Sequence, residues 1–129
     1  MCIFCDIADH KIPSYTLYED EQVIVFFDIQ PTSYGHCLVV PKTHCTSFLD
    51  CPETIRDHVF KVAQTIANRL CDTLHCDGIN VLTNIHEAAG QTVEHFHVHL
   101  IPRYKDNDTV TIEFQSIDPV DFEDLLKKF

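Results

Sequence analysis

Three histidines stand at alternate positions in the run Glu94-His95-Phe96-His97-Val98-His99-Leu100-Ile101-Pro102. Successive side chains of a β-strand point to opposite faces, so the imidazoles would line one face while Phe96, Val98 and Leu100 are buried on the other. The outer two rings would lie about 13 Å apart, which is long enough to follow a phosphate and its two substituents. The same length opposes all three binding one metal as a zinc hydrolase would, because the strand would have to bend. Imidazole is polar and needs partners when buried, which argues against plain core packing and leaves a solvated histidine-rich strand as the alternative. A neutral imidazole is a competent nucleophile at phosphorus and titrates near neutral pH. Its neighbours can stabilise phosphoryl oxygens and assist a leaving group. In the loop before the run, Gly90 lets a backbone approach a ligand closely, and Gln91 and Thr92 add donors suited to those oxygens.

A second group is Cys2-Ile3-Phe4-Cys5, whose two-residue gap is half of a tetrahedral zinc site. A redox pair has the same spacing, but it usually follows a strand in a βαβ unit rather than opening a chain. Nine histidines are available to complete a metal site, and His44 and His95 are the preferred choices. The cysteines at 37, 45, 51, 71 and 76 fall in apolar or helical contexts and read as small core hydrophobes. Asp28, at a strand end, could accept hydrogen bonds from both hydroxyls of a ribose; a solvated loop carboxylate is the alternative.

These groups need a scaffold, and the chain can build one. Its 129 residues suit one domain with one core, and 45% hydrophobic with 22% charged residues is an ordinary globular balance. The net charge of −11, without a basic run, argues against nucleic acid or an anionic membrane as a partner. The odd cysteine count and the lack of a signal-peptide pattern at the N-terminus point to free or metal-bound thiols in the reducing cytoplasm.

Cys2–Asp9 reads as one or two helical turns, and Tyr15–Glu19 with Val23–Phe27 as a hairpin. Asp28–Gly35 is a loop, and His36–Val40 a third strand closed by Pro41. Pro52–Leu74 is the long helix, with Ile55, Val59, Val62, Ala63, Ile66 and Leu70 on one face and Asp50 or Cys51 as N-cap. Gly78–Thr83 is a fourth strand, the histidine run a fifth, and Val120–Lys127 a short closing helix. The expected class is α+β: a five-stranded antiparallel sheet with one long helix and short terminal helices.

The whole run His95-Phe96-His97-Val98-His99-Leu100-Ile101 resembles the signature of the histidine triad (HIT) superfamily. Supporting stretches are Cys2-Ile3-Phe4-Cys5, Phe27-Asp28-Ile29, Gly35-His36, Pro41-Lys42-Thr43-His44 and Gly90-Gln91-Thr92-Val93. The resemblance spans about residues 1–104 of a single domain over 1–129, leaving 105–129 as a C-terminal extension. It is nearest to the zinc-containing bacterial type, close to the histidine triad nucleotide-binding branch.

The resemblance implies a homodimer with sheets joined side by side and one purine nucleotide site per subunit. It implies hydrolysis at the α-phosphate of nucleoside 5′-monophosphate derivatives, of phosphoramidate type, through a nucleotidyl-histidine. Dinucleoside polyphosphate hydrolysis, or nucleotide binding and scaffolding with incidental hydrolysis, are the alternatives. His97 would be the nucleophile, with His99, Gln91 and Thr92 beside it and Asn84 and Gly90 at the phosphate end. Asp28 would bind the ribose, Ile3, Phe4, Ile7, Phe26, Phe27 and Ile29 the base, and His36 would support from behind. Cys2, Cys5, His44 and His95 would hold a structural zinc, with no organic cofactor. His86, where relatives often have glycine, and Cys37 depart from the pattern.

Overall fold

The computed structural model describes residues 2–129. In chain order the elements are α1 (Ile3–Ala8), β1 (Thr16–Glu19), β2 (Val23–Phe27), β3 (Cys37–Pro41), α2 (Glu53–Leu74), β4 (Gly78–Leu82), β5 (Val98–Arg103) and α3 (Phe122–Leu126). The five strands form one sheet in the order β1-β2-β3-β5-β4, with every neighbouring pair antiparallel. This is the α+β architecture that the sequence predicts.

The central strands are apolar on both faces because both faces are covered. Val23, Val25, Cys37, Val39, Phe96, Val98 and Leu100 pack with Val59, Val62, Ala63, Ile66 and Leu70 of α2. Ile24, Phe26, Leu38 and Val40 point the other way and pack with Phe4, Ile7 and Ala8 of α1. The period-2 alternation thus sends one set of side chains to each layer. The histidines fall on the α1 side, since Phe4 lies edge-on to His95 and to His97 with centroids 5.9 and 5.0 Å away.

Two local expectations change. The expected histidine strand starts later, at Val98, because pairing with β3 ends at Val39↔Val98. Before it, the Phe96 N–H donates to the Cys45 carbonyl at 2.7 Å, so His95 and His97 precede the ladder while keeping its alternation. The N-cap position of α2 is Pro52, with no side-chain cap; Asp50 instead accepts from the Thr46 and Ser47 N–H groups at 3.0 and 2.9 Å. At its other end α2 stops at Leu74, as expected, and His75 caps it in the left-handed region (φ 55°).

Candidate functional site

The first cluster joins the N-terminus to the sheet. His95 is fully buried, and its Nε2–H donates to the Pro41 carbonyl at 2.7 Å. That bond leaves the lone pair of Nδ1 facing Cys2 Sγ at 3.3 Å, Cys5 Sγ at 3.5 Å and His44 Nδ1 at 3.1 Å. Cys5 Sγ also lies 3.3 Å from His44 Nδ1. All four ligand atoms fall within 4.8 Å of one another. Two thiols and two imidazoles at these separations fit a closed tetrahedral metal site, and the carbonyl behind His95 fixes the ligating nitrogen. Burial, and then the Cys2 thiol beside it, push Cys5 up to about 11, so a cation must displace protons to bind. The expected quartet is therefore together in space.

The second cluster is a cavity of about 410 Å³ between α1, the end of β2 and the histidines. Ile3, Phe4, Ile7, Phe26, Phe27, Asp28, Ile29, Thr92, His97 and His99, all singled out in the sequence, line it. Ile12, Pro13, Ser14, Gln30, Leu38 and Val93 also line it. Sequence reasoning missed these; the alternation of β3 could have revealed Leu38, whereas the 12–14 turn carries no such signal.

The ring orientations follow from hydrogen bonds. His97 Nδ1–H donates to the His95 carbonyl at 2.7 Å, which leaves its Nε2 lone pair for the cavity. The Thr32 N–H donates to His36 Nδ1 at 3.2 Å, so the His36 proton sits on Nε2 and is given to His99 Nδ1 at 2.9 Å. His99 then carries its own proton on Nε2. A bare nucleophilic nitrogen and an N–H donor thus stand side by side, with ring centroids 4.9 Å apart. Burial lowers His36, His97 and His99, the last to about 4, so all three rings are neutral at pH 7.

Asp28 Oδ1 accepts from the Gln30 N–H at 2.8 Å, and its Oδ2 lies 3.8 Å from His36 Nε2. Asp28, His36 and His99 are close enough to suggest a cation site. The proton on His36 Nε2 is given to His99 Nδ1, so that nitrogen has no lone pair to offer a cation, and Asp28 at 3.8 Å faces it as a nearby carboxylate without a hydrogen bond.

The loop residues divide. Gln91 is buried, and its amide nitrogen donates to the Thr46 and Val93 carbonyls at 2.7 and 3.0 Å while its oxygen accepts from the His86 N–H at 2.8 Å. Both amide hydrogens are used, so in this arrangement Gln91 braces the loop and a donation to a ligand would need one of these bonds to be given up. Asn84 spends one amide hydrogen on the Gly90 carbonyl at 3.4 Å and keeps the rest of its amide free for other partners. Gly90 has φ +100°, a conformation that side-chain-bearing residues rarely adopt. His36 lies behind the cavity wall, reaching the site through His99.

Taken together, the cavity offers an apolar slot, a carboxylate oxygen, a nucleophilic nitrogen and an N–H donor. A flat apolar ring, a pair of hydroxyls and a phosphoryl group would match these in turn.

Comparison with known proteins agrees with this arrangement. The chain is 40% identical over 129 residues to an uncharacterized HIT-like protein of Methanocaldococcus jannaschii, covering 99% of this chain and 98% of that one. It is 43% identical over 102 residues to the adenosine 5′-monophosphoramidase of Saccharomyces cerevisiae, covering 79% of this chain and 62% of the yeast protein. The crystal structure of a HIT family protein from Bacillus anthracis superposes with a TM-score of 0.91 at 41% identity, over 98% of this chain and 91% of its own. A zinc-bound histidine triad family protein from Mycobacterium smegmatis superposes at 0.80 with 38% identity, over 84% and 79% of the two chains. The HIT domain profile matches residues 9–106. With its histidine run, its cavity and these matches in agreement, the chain belongs to the HIT domain family.

Proposed function

We propose that this protein is a nucleotide-binding hydrolase that cleaves phosphoramidate-type derivatives of nucleoside 5′-monophosphates through a nucleotidyl-histidine. The observation that carries the reading is the His97 ring: one nitrogen is tied to the His95 carbonyl at 2.7 Å, so the other is bare inside the cavity. In the first step a bond forms from His97 Nε2 to the α-phosphorus and the P–N bond to the leaving amine breaks. The ring keeps its Nδ1 proton, and the His95 carbonyl stabilises the positive charge that develops on it. The departing nitrogen takes a proton from solvent and leaves as the neutral amine, with the His99 Nε2–H hydrogen-bonded to it, and the water that attacks in the second step returns that proton to solvent. Water then cleaves the histidine–phosphorus bond and releases the nucleoside monophosphate, regenerating the ring. Thr92, Asn84 and the Gly90 backbone serve the phosphoryl oxygens. Asp28 holds the ribose hydroxyls, and the slot of Ile3, Phe4, Ile7, Phe26, Phe27 and Ile29 takes a purine base. The yeast relative's activity on an adenosine phosphoramidate supports this substrate class.

Cys2, Cys5, His44 and His95 would hold a structural zinc, a reading supported by the zinc-bound mycobacterial relative. The metal would fasten α1, one wall of the slot, to the sheet. The protein would act as a homodimer in the cytoplasm, as one HIT domain with a C-terminal arm. The unpaired edge of β4, with the half-exposed Val81, supports side-by-side joining of two sheets.

The decisive experiment is AMP release from adenosine 5′-phosphoramidate by the wild type and His97→Ala. The expected result is a loss on the order of 10³-fold or more in kcat/KM for a protein that still binds AMP. Equal rates would overturn the nucleophile, and no turnover by folded, zinc-loaded wild type would turn the search to dinucleoside polyphosphates.

A further inference from the structure

Outside both clusters, the thiols of Cys71 and Cys76 touch. Cys76 Sγ donates to Cys71 Sγ at 3.4 Å, and both residues are partly exposed. Neither belongs to the metal-ligand cluster. Cys71 lies in the last turn of α2, and Cys76 follows the left-handed His75 that turns the chain back. A disulfide needs its sulfurs about 2.05 Å apart, so closure brings the two thiols together by less than a bond length. Leu74 sits between them in sequence, and its side chain presses on Gly35: a methyl group there would come within 2.5 Å of Leu74 Cδ1. Gly35 in turn belongs to the 28–36 loop that carries Asp28 and His36.

We propose that Cys71 and Cys76 form a reversible modification site, which closes to an intramolecular disulfide when the protein meets a small-molecule disulfide, and which acts through Leu74 on the 28–36 loop. The Cys76 thiolate attacks one sulfur of the oxidant and releases one small thiol. The Cys71 thiolate then attacks Cys76 Sγ and releases the second. Two protons leave the protein thiols and two electrons reduce the oxidant. Only Cys76 has to meet the reagent, so the reaction remains open if the α2–β4 face, which Cys71 helps to line, is covered by a second copy. Burial, and then the Cys71 thiol, raise Cys76 above the ordinary thiol range, so closure is faster in mildly alkaline solution.

The test treats zinc-loaded, folded full-length protein with oxidised glutathione, blocks remaining thiols before unfolding, and digests with trypsin. Cleavage after Arg69 and Arg103 gives a peptide holding these two cysteines and no other. The expected result is a loss of about 2 Da in that peptide, restored by dithiothreitol, with Cys71→Ser trapping glutathione on Cys76. Hydrogen exchange across residues 28–36 should slow in the oxidised protein. Two blocked thiols in the wild-type peptide, or no trapped adduct in Cys71→Ser, would overturn the modification site. Unchanged exchange in a fully oxidised sample would overturn its action on the loop. None of these readouts depends on nucleotide turnover.

Discussion

At the scale of single residues, this protein uses backbone groups to decide which ring nitrogen does what. The Pro41 carbonyl turns His95 toward the cysteines, the His95 carbonyl turns His97 toward the cavity, and the Thr32 N–H orients His99 by way of His36. The proposed metal quartet and the proposed nucleophile are thereby chemically separate although both involve His95. Zinc should accordingly remain at one ion per chain in His97→Ala and be lost in Cys2→Ser or Cys5→Ser, as measured by elemental analysis of dialysed protein. Loss of zinc in His97→Ala would mean that His97 is a ligand. A further residue-scale case is Asp20. Burial would raise its carboxyl, but hydrogen bonds from His58, Tyr18 and the Gln22 and Val23 N–H groups outweigh that and hold it down at about 2. The folded value lies below the unfolded one, so the stability is fully present above about pH 4 and is lost as pH falls toward 2. Asp20→Asn should therefore destabilise by about 2 kcal/mol at neutral pH, and the gap to wild type should narrow in urea titrations run below pH 4.

Among the elements, the 84–93 loop is where local strain and site geometry meet. His86 has φ 69° and ψ 163°, a region that is almost the preserve of glycine, and it precedes a 3-10 turn at Glu87–Ala89. Gln91 holds this conformation by accepting from the His86 N–H and donating to two carbonyls. The resemblance marks His86 as a departure at a position where glycine is expected, and glycine is the residue that this backbone conformation favours. His86→Gly should raise stability by about 1 kcal/mol, because relief of the strain exceeds the added chain entropy. An unchanged or lower melting temperature would show that the imidazole makes a compensating contact.

For the molecule as a whole, the arm after β5 is the feature most in need of a partner. Arg103 ties its start by bonds to Asp108 at 2.6 Å and to the Val110 carbonyl at 2.9 Å, and the Tyr104 hydroxyl donates to the Tyr34 carbonyl at 2.7 Å. Beyond these anchors Phe114, Ile117, Phe122, Leu126 and Phe129 are exposed, with Phe114 at 90% and Phe129 fully so. Large apolar side chains exposed along one short segment are what a partner surface could cover. The Bacillus anthracis structure superposes over 98% of this chain, which takes in most of the arm, so the arm's course is a shared property. In the proposed homodimer the arm would lie on the second copy. Light scattering should give a mass near two subunits for the full chain and near one after removal of residues 111–129. A full chain with the mass of one subunit would overturn the dimer. Among the described residues no helix is long and apolar enough to cross a membrane.

The sequence alone determined whatever depends on spacing along one segment. Period 2 divided the 95–101 run into histidine and apolar faces, and the 3–4 spacing placed Val59, Val62, Ala63, Ile66 and Leu70 on the buried face of α2. It also marked the four metal-type ligands, the cysteine pair by its spacing and His44 and His95 as a choice among nine histidines that the resemblance supports, because nothing local says that residues 2, 44 and 95 meet. Tertiary structure decided the rest. Strand order brought β3 beside β5, so that His36 could reach His99 and the Pro41 carbonyl could orient His95. It ended the β5 ladder at Val98, removed Gln91 from the list of free donors and set Cys71 against Cys76 across a left-handed turn. These are long-range hydrogen bonds and packing contacts; they depend on which surfaces meet, and a local pattern carries no record of that.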